Sequence, residues 1–310
     1  MRFRINYVRD GLVEEWHEGS AEFVLNLKRQ EFDEFEEFEK KGYPFFLRSC
    51  AKPLQASLLA DCHINLTKKE LAFCSGSHIG EDYHLETARG IMKKYGLTES
   101  MLKCGIHAPL SRTQQERMLI QGIETTPIYN NCSGKHIGFL CICKRMGWDL
   151  KTYYLPEHPL QQAIKKKINK LCGIRNEYPM TTDGCGVPIV SMPLKNIAKG
   201  YIKLNENYPD IIASIKAYPY IFGGAGRTDT EIVSNSDCLI AKVGAGGLCV
   251  VLNYKTNEAF ALKINDSSYE ARHAAAFEII KMLDWANLEY NKQITTLRGK
   301  VLGEISFVVL

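Results

Sequence analysis

Apolar and polar positions divide the chain into three stretches with different periods. The first 50 residues alternate as strands and turns do. Asp10-Gly11 separates two extended segments, which predicts a hairpin. Within this stretch the acidic segment 31–41 carries Phe32, Phe35 and Phe38 at a spacing of three. That spacing suits a short amphipathic helix or a twisted pair of strands equally. From Ser49 to about residue 204 the period becomes helical. A helix over 49–60 must hold Pro53 in its first turn, where a missing N–H breaks no bond. Thr67-x-x-Glu70 reads as a capping box. Leu85, Ala88, Met92 and Tyr95 form one stripe of a helix over 82–95, with Gly96 as its stop. Further helices fit 113–121, 136–146, 159–172 and 193–205. After about Arg227 strands return at 238–243, 249–253 and 259–264, followed by a helix over 269–285 and a strand over 301–309.

Strands at both ends with helices between them predict a single α+β domain over residues 1–310. Its sheet is built from the N- and C-terminal strands, with a helical lobe inserted at roughly 67–205. Neither an internal repeat nor a Gly/Ser linker divides the 310 residues.

Composition narrows the function classes. Hydrophobic residues make up 45% of the chain and charged residues 24%, which is ordinary for a folded globular protein. The 39 basic and 35 acidic residues nearly cancel, leaving a net charge of +4 and no basic surface signature of a nucleic-acid binder. Lys165-Lys166-Lys167 reads as a solvated helix face. No apolar run approaches the roughly 20 residues that span a bilayer, and the first residues lack the apolar core of a secretory signal. Eleven cysteines without such a signal suit free thiols in a reducing compartment, so the expected location is the cytoplasm.

Five clusters carry candidate chemistry. In Arg48-Ser49-Cys50-Ala51-Lys52, the helical i,i+3 spacing can bring the Ser49 hydroxyl to the Lys52 amine. Serine becomes a nucleophile when a base takes its proton, and lysine is such a base when burial or nearby positive charge lowers its pKa. A second Ser-x-x-Lys, Ser100–Lys103, lies in a polar helix start and reads as surface. The run Cys74-Ser75-Gly76-Ser77-His78-Ile79-Gly80-Glu81 follows an apolar helix, as a turn facing a pocket would. His78 and His84 also fit hydrogen-bonded structural histidines. Asn130-Asn131-Cys132-Ser133-Gly134-Lys135-His136 opens a helix, and Thr182-Asp183-Gly184-Cys185-Gly186 is a tight, Gly-flanked course. Cys132 and Cys185 offer two soft metal ligands, with Lys135 or His136 as a third; two buried thiols are the plainer reading. Last, Gly224–Thr230 and Lys242-Val243-Gly244-Ala245-Gly246-Gly247 are glycine-rich without the spacing of a phosphate-binding loop.

Taken in order, these clusters resemble the asparaginase II family, whose zinc-dependent rhizobial-type members stand apart from the bacterial threonine enzymes. The matching residues begin at Arg9-Asp10-Gly11, Glu14 and His17-x-Gly19. They continue through Arg48-Ser49-x-x-Lys52-Pro53-x-Gln55-Ala56, Ser77-His78-x-Gly80-Glu81 and Cys104-Gly105-x-His107-x-Pro109. Asn131-Cys132-Ser133-Gly134-Lys135-His136-x-Gly138, His158-Pro159 and Thr182-Asp183-Gly184-Cys185-x-x-Pro188 follow, then Gly226-Arg227 and Lys242-x-Gly244-Ala245.

The resemblance implies a serine β-lactamase-like fold, shared with glutaminases, and hydrolysis of L-asparagine to aspartate and ammonia. It implies two catalytic Ser–Lys tandems, Ser49–Lys52 and Ser77–Lys242. It also implies a zinc site at Cys132, Lys135 and Cys185, substrate contacts from Arg48, His78, Asp183, Gly244 and Ala245, and a homodimer. A lysine ligand must be neutral to donate its lone pair, and by chemistry alone His136 is the more ordinary choice. A glutaminase or related acylase on the same site is the nearest rival activity. A non-catalytic amino-acid-binding protein is the rival of another class, and two serines with two paired lysines are more than a binder needs. The chain departs from the family at Gly246, where an acidic residue is common, and at Ser267, where glycine is.

Overall fold

The computed structural model describes residues 1–25 and 43–310, so the acidic segment 31–41 lies outside the described residues. The N-terminal hairpin forms as expected. Strands β1 (Arg2–Arg9) and β2 (Leu12–Val24) pair antiparallel across Asp10 and Gly11, both at positive φ (46° and 82°). Two left-handed residues in a two-residue loop match the right-handed twist of the strands they join, and Asp-Gly is among the pairs that tolerate them best.

After β3 (Phe45–Phe46), a 3-10 turn over Arg48–Ala51 leads directly into α1 (Lys52–Asp61), with Pro53 in its first turn. Next come α2 (Lys68–Ser75), α3 (Asp82–Tyr95), α4 (Arg112–Gln121), α5 (Ser133–Met146) and α6 (Pro159–Leu171). The Thr67–Glu70 capping box is present in both directions, and α3 ends at Gly96 in the left-handed region. Strands β4 (Met180–Thr182) and β5 (Pro188–Met192) join β3 in a three-stranded sheet ordered β3-β5-β4. Helices α7 (Leu194–Asn207), α8 (Pro209–Ala217), α9 (Pro219–Phe222) and α10 (Thr228–Ser234) then return the chain to the main sheet. It closes with β6 (Leu239–Gly244), β7 (Leu248–Asn253), β8 (Glu258–Ile264), α11 (Tyr269–Met282), β9 (Gln293–Thr295) and β10 (Val301–Val309).

The architecture is mixed, with an antiparallel seven-stranded sheet ordered β6-β7-β8-β2-β1-β10-β9. The first and last strands are neighbours, Phe3 opposite Val309 and Ile5 opposite Phe307, so the sheet is assembled from both ends of the chain. Every residue of β6 and β7 is buried, because α10, α8 and the 3-10 turn pack on β6, α7 packs on β2, β7 and β8, and α11 packs on β1, β7, β8 and β10. These strands therefore read as continuous apolar runs rather than alternating ones. In the helical part, α5 is buried at every position from Ser133 to Cys143, and α1 from Lys52 to Leu59. Polar groups on such helices face protein on all sides and need partners there. Among the described residues no helix is long and apolar enough to cross a membrane.

Candidate active site

The Ser49 turn is held against the end of β6. Cys50 Sγ donates to the Lys242 carbonyl at 3.2 Å, and a Cβ on Gly244 would stand 3.2 Å from both Cys50 Sγ and the Leu47 carbonyl. Glycine at 244 thus allows strand and turn to touch. Arg272 from α11 donates to the Gly244 carbonyl at 2.9 Å, and Ala245 emerges at the exposed tip of the turn. Before Ser49, Arg48 sits at φ +47°. A branched-off side chain in that region costs about 1–2 kcal/mol, and such strain tends to be kept where it aims a group. Here the Arg48 guanidinium reaches Asp183 Oδ1 at 2.7 Å. Burial pushes the Asp183 carboxyl up, but Lys135, Arg48 and the Gly184 N–H together hold it below its ordinary value.

The serines and lysines do not sort as the sequence suggests. Lys52, almost wholly buried, donates to Ser77 Oγ at 2.8 Å and to the Asn131 carbonyl at 3.0 Å. Ser49, half-buried in the 3-10 turn that precedes α1, makes no side-chain hydrogen bond among the described residues. Lys242 is hydrogen-bonded to Asp229 Oδ2 at 2.8 Å and to the Val243 carbonyl at 2.9 Å, and no hydrogen bond joins it to Ser77. Burial, and then the ammonium groups of Lys135 and Lys242, lower the Lys52 pKa to about 8 against the opposing pull of Cys132 and Cys185. Ser77 itself is set by a close backbone approach. Its N–H donates to the Phe222 carbonyl at 2.9 Å, and a Cβ on Gly76 would fall 2.0 Å from that oxygen.

His78 is fully buried beside Ser77, with its ring stacked on Phe73 at 5.0 Å. Ser133 Oγ donates to the Ile128 carbonyl at 2.9 Å, so its contact with His78 Nε2 at 2.8 Å must be donated by the imidazole. Burial, with His84, Lys52 and Arg227 nearby, keeps His78 neutral by lowering its pKa well below the usual value. His84 is buried too and bonds the Tyr220 carbonyl at 2.9 Å, the structural role weighed above. Ser100 and Lys103 are exposed, as expected.

Cys132, Lys135 and Cys185 converge at the N-terminus of α5. All three are buried, Lys135 Nζ lies 2.9 Å from Cys185 Sγ, and the Cys132 thiol is paired with that of Cys185. The Cys185 contact, with Lys52 and Lys135 behind it, drives the Cys132 pKa well below the ordinary thiol value. Two soft sulfurs, one of them thiolate-prone, with an amine beside them suit zinc, which takes sulfur and nitrogen donors tetrahedrally and in open sites leaves one position for another ligand. His136 is not in this set: its Nδ1 lies 2.7 Å from the Tyr153 hydroxyl. Among the described residues no three His, Cys, Asp or Glu side chains gather to hold a metal, so any such site must use the lysine.

The structure thus brings Lys52 to Ser77, Arg48 to Asp183, and Lys135 to both cysteines, with the Ser49 turn packed on the strand that bears Lys242. Sequence reasoning missed three participants: Asp229, Ser133 and the Asn131 carbonyl. Asp229 lay in plain view inside Gly224–Thr230, where the glycines drew attention to phosphate binding and away from a carboxylate that could pair with a buried lysine. The family model described as L-asparaginase II matches residues 5–307 of the chain. No curated protein matches it.

Proposed function

The chain belongs to the L-asparaginase II family and is an amidohydrolase, and from this premise we propose that it hydrolyses L-asparagine to L-aspartate and ammonia with Ser49 as nucleophile and Lys52 as base. The observation that carries this reading is a buried amine with a pKa lowered to about 8, bonded to the Ser77 hydroxyl at 2.8 Å and borne by the first residue of the helix that directly follows the Ser49 turn. A base must reach the proton it takes, and its pKa must lie near the working pH.

Ser49 is the better nucleophile because its hydroxyl is free and half-exposed, whereas Ser77 is 1% exposed and already bound to the amine. In the proposed cycle Ser49 Oγ bonds to the side-chain carbonyl carbon of asparagine while its proton passes to Lys52. The C–N bond then breaks, and Lys52 returns the proton through Ser77 to the departing nitrogen as ammonia. Water adds to the aspartyl ester, giving its proton to Lys52. Cleavage of the ester returns a proton to Ser49 and frees aspartate. Arg48 and Asp183 carry the two charges that match an amino acid's α-carboxylate and α-ammonium, and His78, Gly244 and Ala245 shape the same region.

Cys132, Lys135 and Cys185 would hold zinc, with Lys135 giving up its proton to bind it. Bound there, zinc would supply a fixed positive charge beside Asp183. The Ser-x-x-Lys turn at a helix start, packed on a strand bearing Lys-x-Gly, supports a serine β-lactamase-like fold.

Acid-quenched digestion after reaction with a slow acyl donor tests the assignment. The acyl group is expected on the peptide containing Ser49, and Ser77→Ala should still take some label. Label on the Ser77 peptide would reverse the roles. The absence of label on both serines during demonstrated turnover would replace covalent catalysis by a lysine-activated water.

A further inference from the structure

Asp229 and Lys242 are each 0% exposed, and an ionised group at such depth is tolerated only when paired. The pairing is thorough. Asp229 Oδ2 accepts from Lys242 Nζ at 2.8 Å and from the Val243 N–H at 3.4 Å, and Oδ1 accepts from Arg227 Nε at 3.4 Å. Lys242 also donates to the Val243 carbonyl at 2.9 Å and lies 5.4 Å from the centre of the Phe222 ring. Phe222 is the residue whose carbonyl holds the Ser77 N–H, so the ion pair adjoins the serine loop through a single side chain.

A lysine acts as a base by offering a lone pair to a hydroxyl. This one gives hydrogens to a carboxylate and a carbonyl, and its remaining neighbour is a ring face that attracts cations. We propose that Lys242 serves the site as a fixed ammonium, that Asp229 is the positioning residue that holds it in place and in charge, and that proton abstraction falls to Lys52 alone. The division of roles rests on the amide-hydrolase reading of the site, and it replaces the Ser77–Lys242 tandem that the family resemblance implies.

The surrounding charges agree. Around Lys242 stand Asp229 and Arg227, Cys50 of the 3-10 turn, Cys249 of β7, Arg272 of α11 and Lys52 of α1. Burial pushes both thiols up, so Asp229 is the anion of the group. Its carboxyl is held well below the usual range, against its own burial, chiefly by Lys242 and then by Arg227. Burial, with a smaller push from Arg227, leaves Lys242 below its ordinary value, and Asp229 limits that fall.

Asp229→Asn removes the counter-charge with little change of shape, and Lys242 should then lose its proton at lower pH. The expected result is a fall in kcat of about tenfold or more at pH 9, with a much smaller change at pH 6.5, because the alkaline limb of the rate profile moves down by about one unit or more. Lys242→Arg, cationic throughout, should keep measurable turnover and lose the alkaline limb, while Lys242→Met should fail at every pH. If Asp229→Asn instead moves the acid limb down and keeps its alkaline rate, Lys242 is a base and the proposal is overturned. A uniform loss with an unchanged profile would reduce Asp229 to a structural part and overturn it equally. Nitrogen-15 NMR of the lysine side chains in the unmodified protein needs neither turnover nor a folded variant. There the Lys242 signal must stay that of an ammonium through pH 8, and a neutral Lys242 at that pH would sink the idea. Because this measurement is independent of ammonia release, a failure of the asparaginase reading would show separately.

Discussion

His84 provides a stability switch whose size follows from its surroundings. Burial, with a smaller push from Lys69 and partial opposition from the Tyr220 carbonyl, takes its pKa from 6.5 down to about 4. A group depressed in the folded state contributes stability that is complete above its unfolded pKa and is lost as pH falls toward the folded one. Here that window runs from 6.5 to 4. At 1.36 kcal/mol per unit, the loss amounts to about 2 kcal/mol by pH 5 and about 3 kcal/mol by pH 4. His78 and His136, also lowered well below the usual value by burial, add to it in the same direction. Asp229 does not confuse the measurement, because its share is given up only below its unfolded value of 3.8. His84→Gln keeps a donor for the Tyr220 carbonyl but cannot be protonated. Urea unfolding of both proteins at pH 8 and pH 5 should show the wild type losing about 2 kcal/mol more than the variant over that interval. Whatever the variant costs at pH 8 cancels in this difference. Parallel losses in the two proteins would refute the reasoning, since they would mean that His84 is protonated as readily folded as unfolded.

Two further predictions follow from the metal site and from a strained turn. Cys185→Ser should reduce zinc from about one per chain to a minor fraction by elemental analysis, because one thiolate and an amine bind it far more weakly than two thiolates do; full occupancy in the variant would remove the site assignment. Ser267 stands at φ +71°, a backbone region that favours glycine, so Ser267→Gly should relieve about 1 kcal/mol of backbone strain and raise the melting temperature by about 2 °C; an unchanged or lower melting point would show that its hydroxyl contributes more than the strain costs.

The fold's framework was legible where local chemistry decides it. The Asp-Gly hairpin, the Thr67 capping box, the stripe ending at Gly96 and the apolar strands after residue 238 each follow from one segment's own residues. Helices α8, α9 and α10 were missed: α8 and α9 each begin with a proline immediately after a tyrosine and so lack a polar cap, and α9 and α10 are only four and seven residues long. The three-stranded sheet of β3, β4 and β5 was missed because its strands are short and its pairings distant. At the site, residue identities were readable but their partners were not. A spacing of three named Lys52 as the partner of Ser49, yet its long four-carbon side chain carries the amine to Ser77, 25 positions away. Asp229 became visible as a partner only when α10 and β6 were seen side by side.

The contact between Cys50 and the Lys242 carbonyl joins residues 192 apart in sequence, and the sheet that carries Lys242 on one edge is closed by pairing of the chain's first and last strands within it. Such long-range pairings repay their loop-closure entropy only late, and they slow folding at a given stability. The serine turn, its helix and the cysteine-bearing α5 can acquire local structure early, but none of them completes the site. Catalytic competence is therefore a property of the closed topology. On refolding or synthesis, activity should arrive with the final sheet rather than with the helices that supply most of its residues.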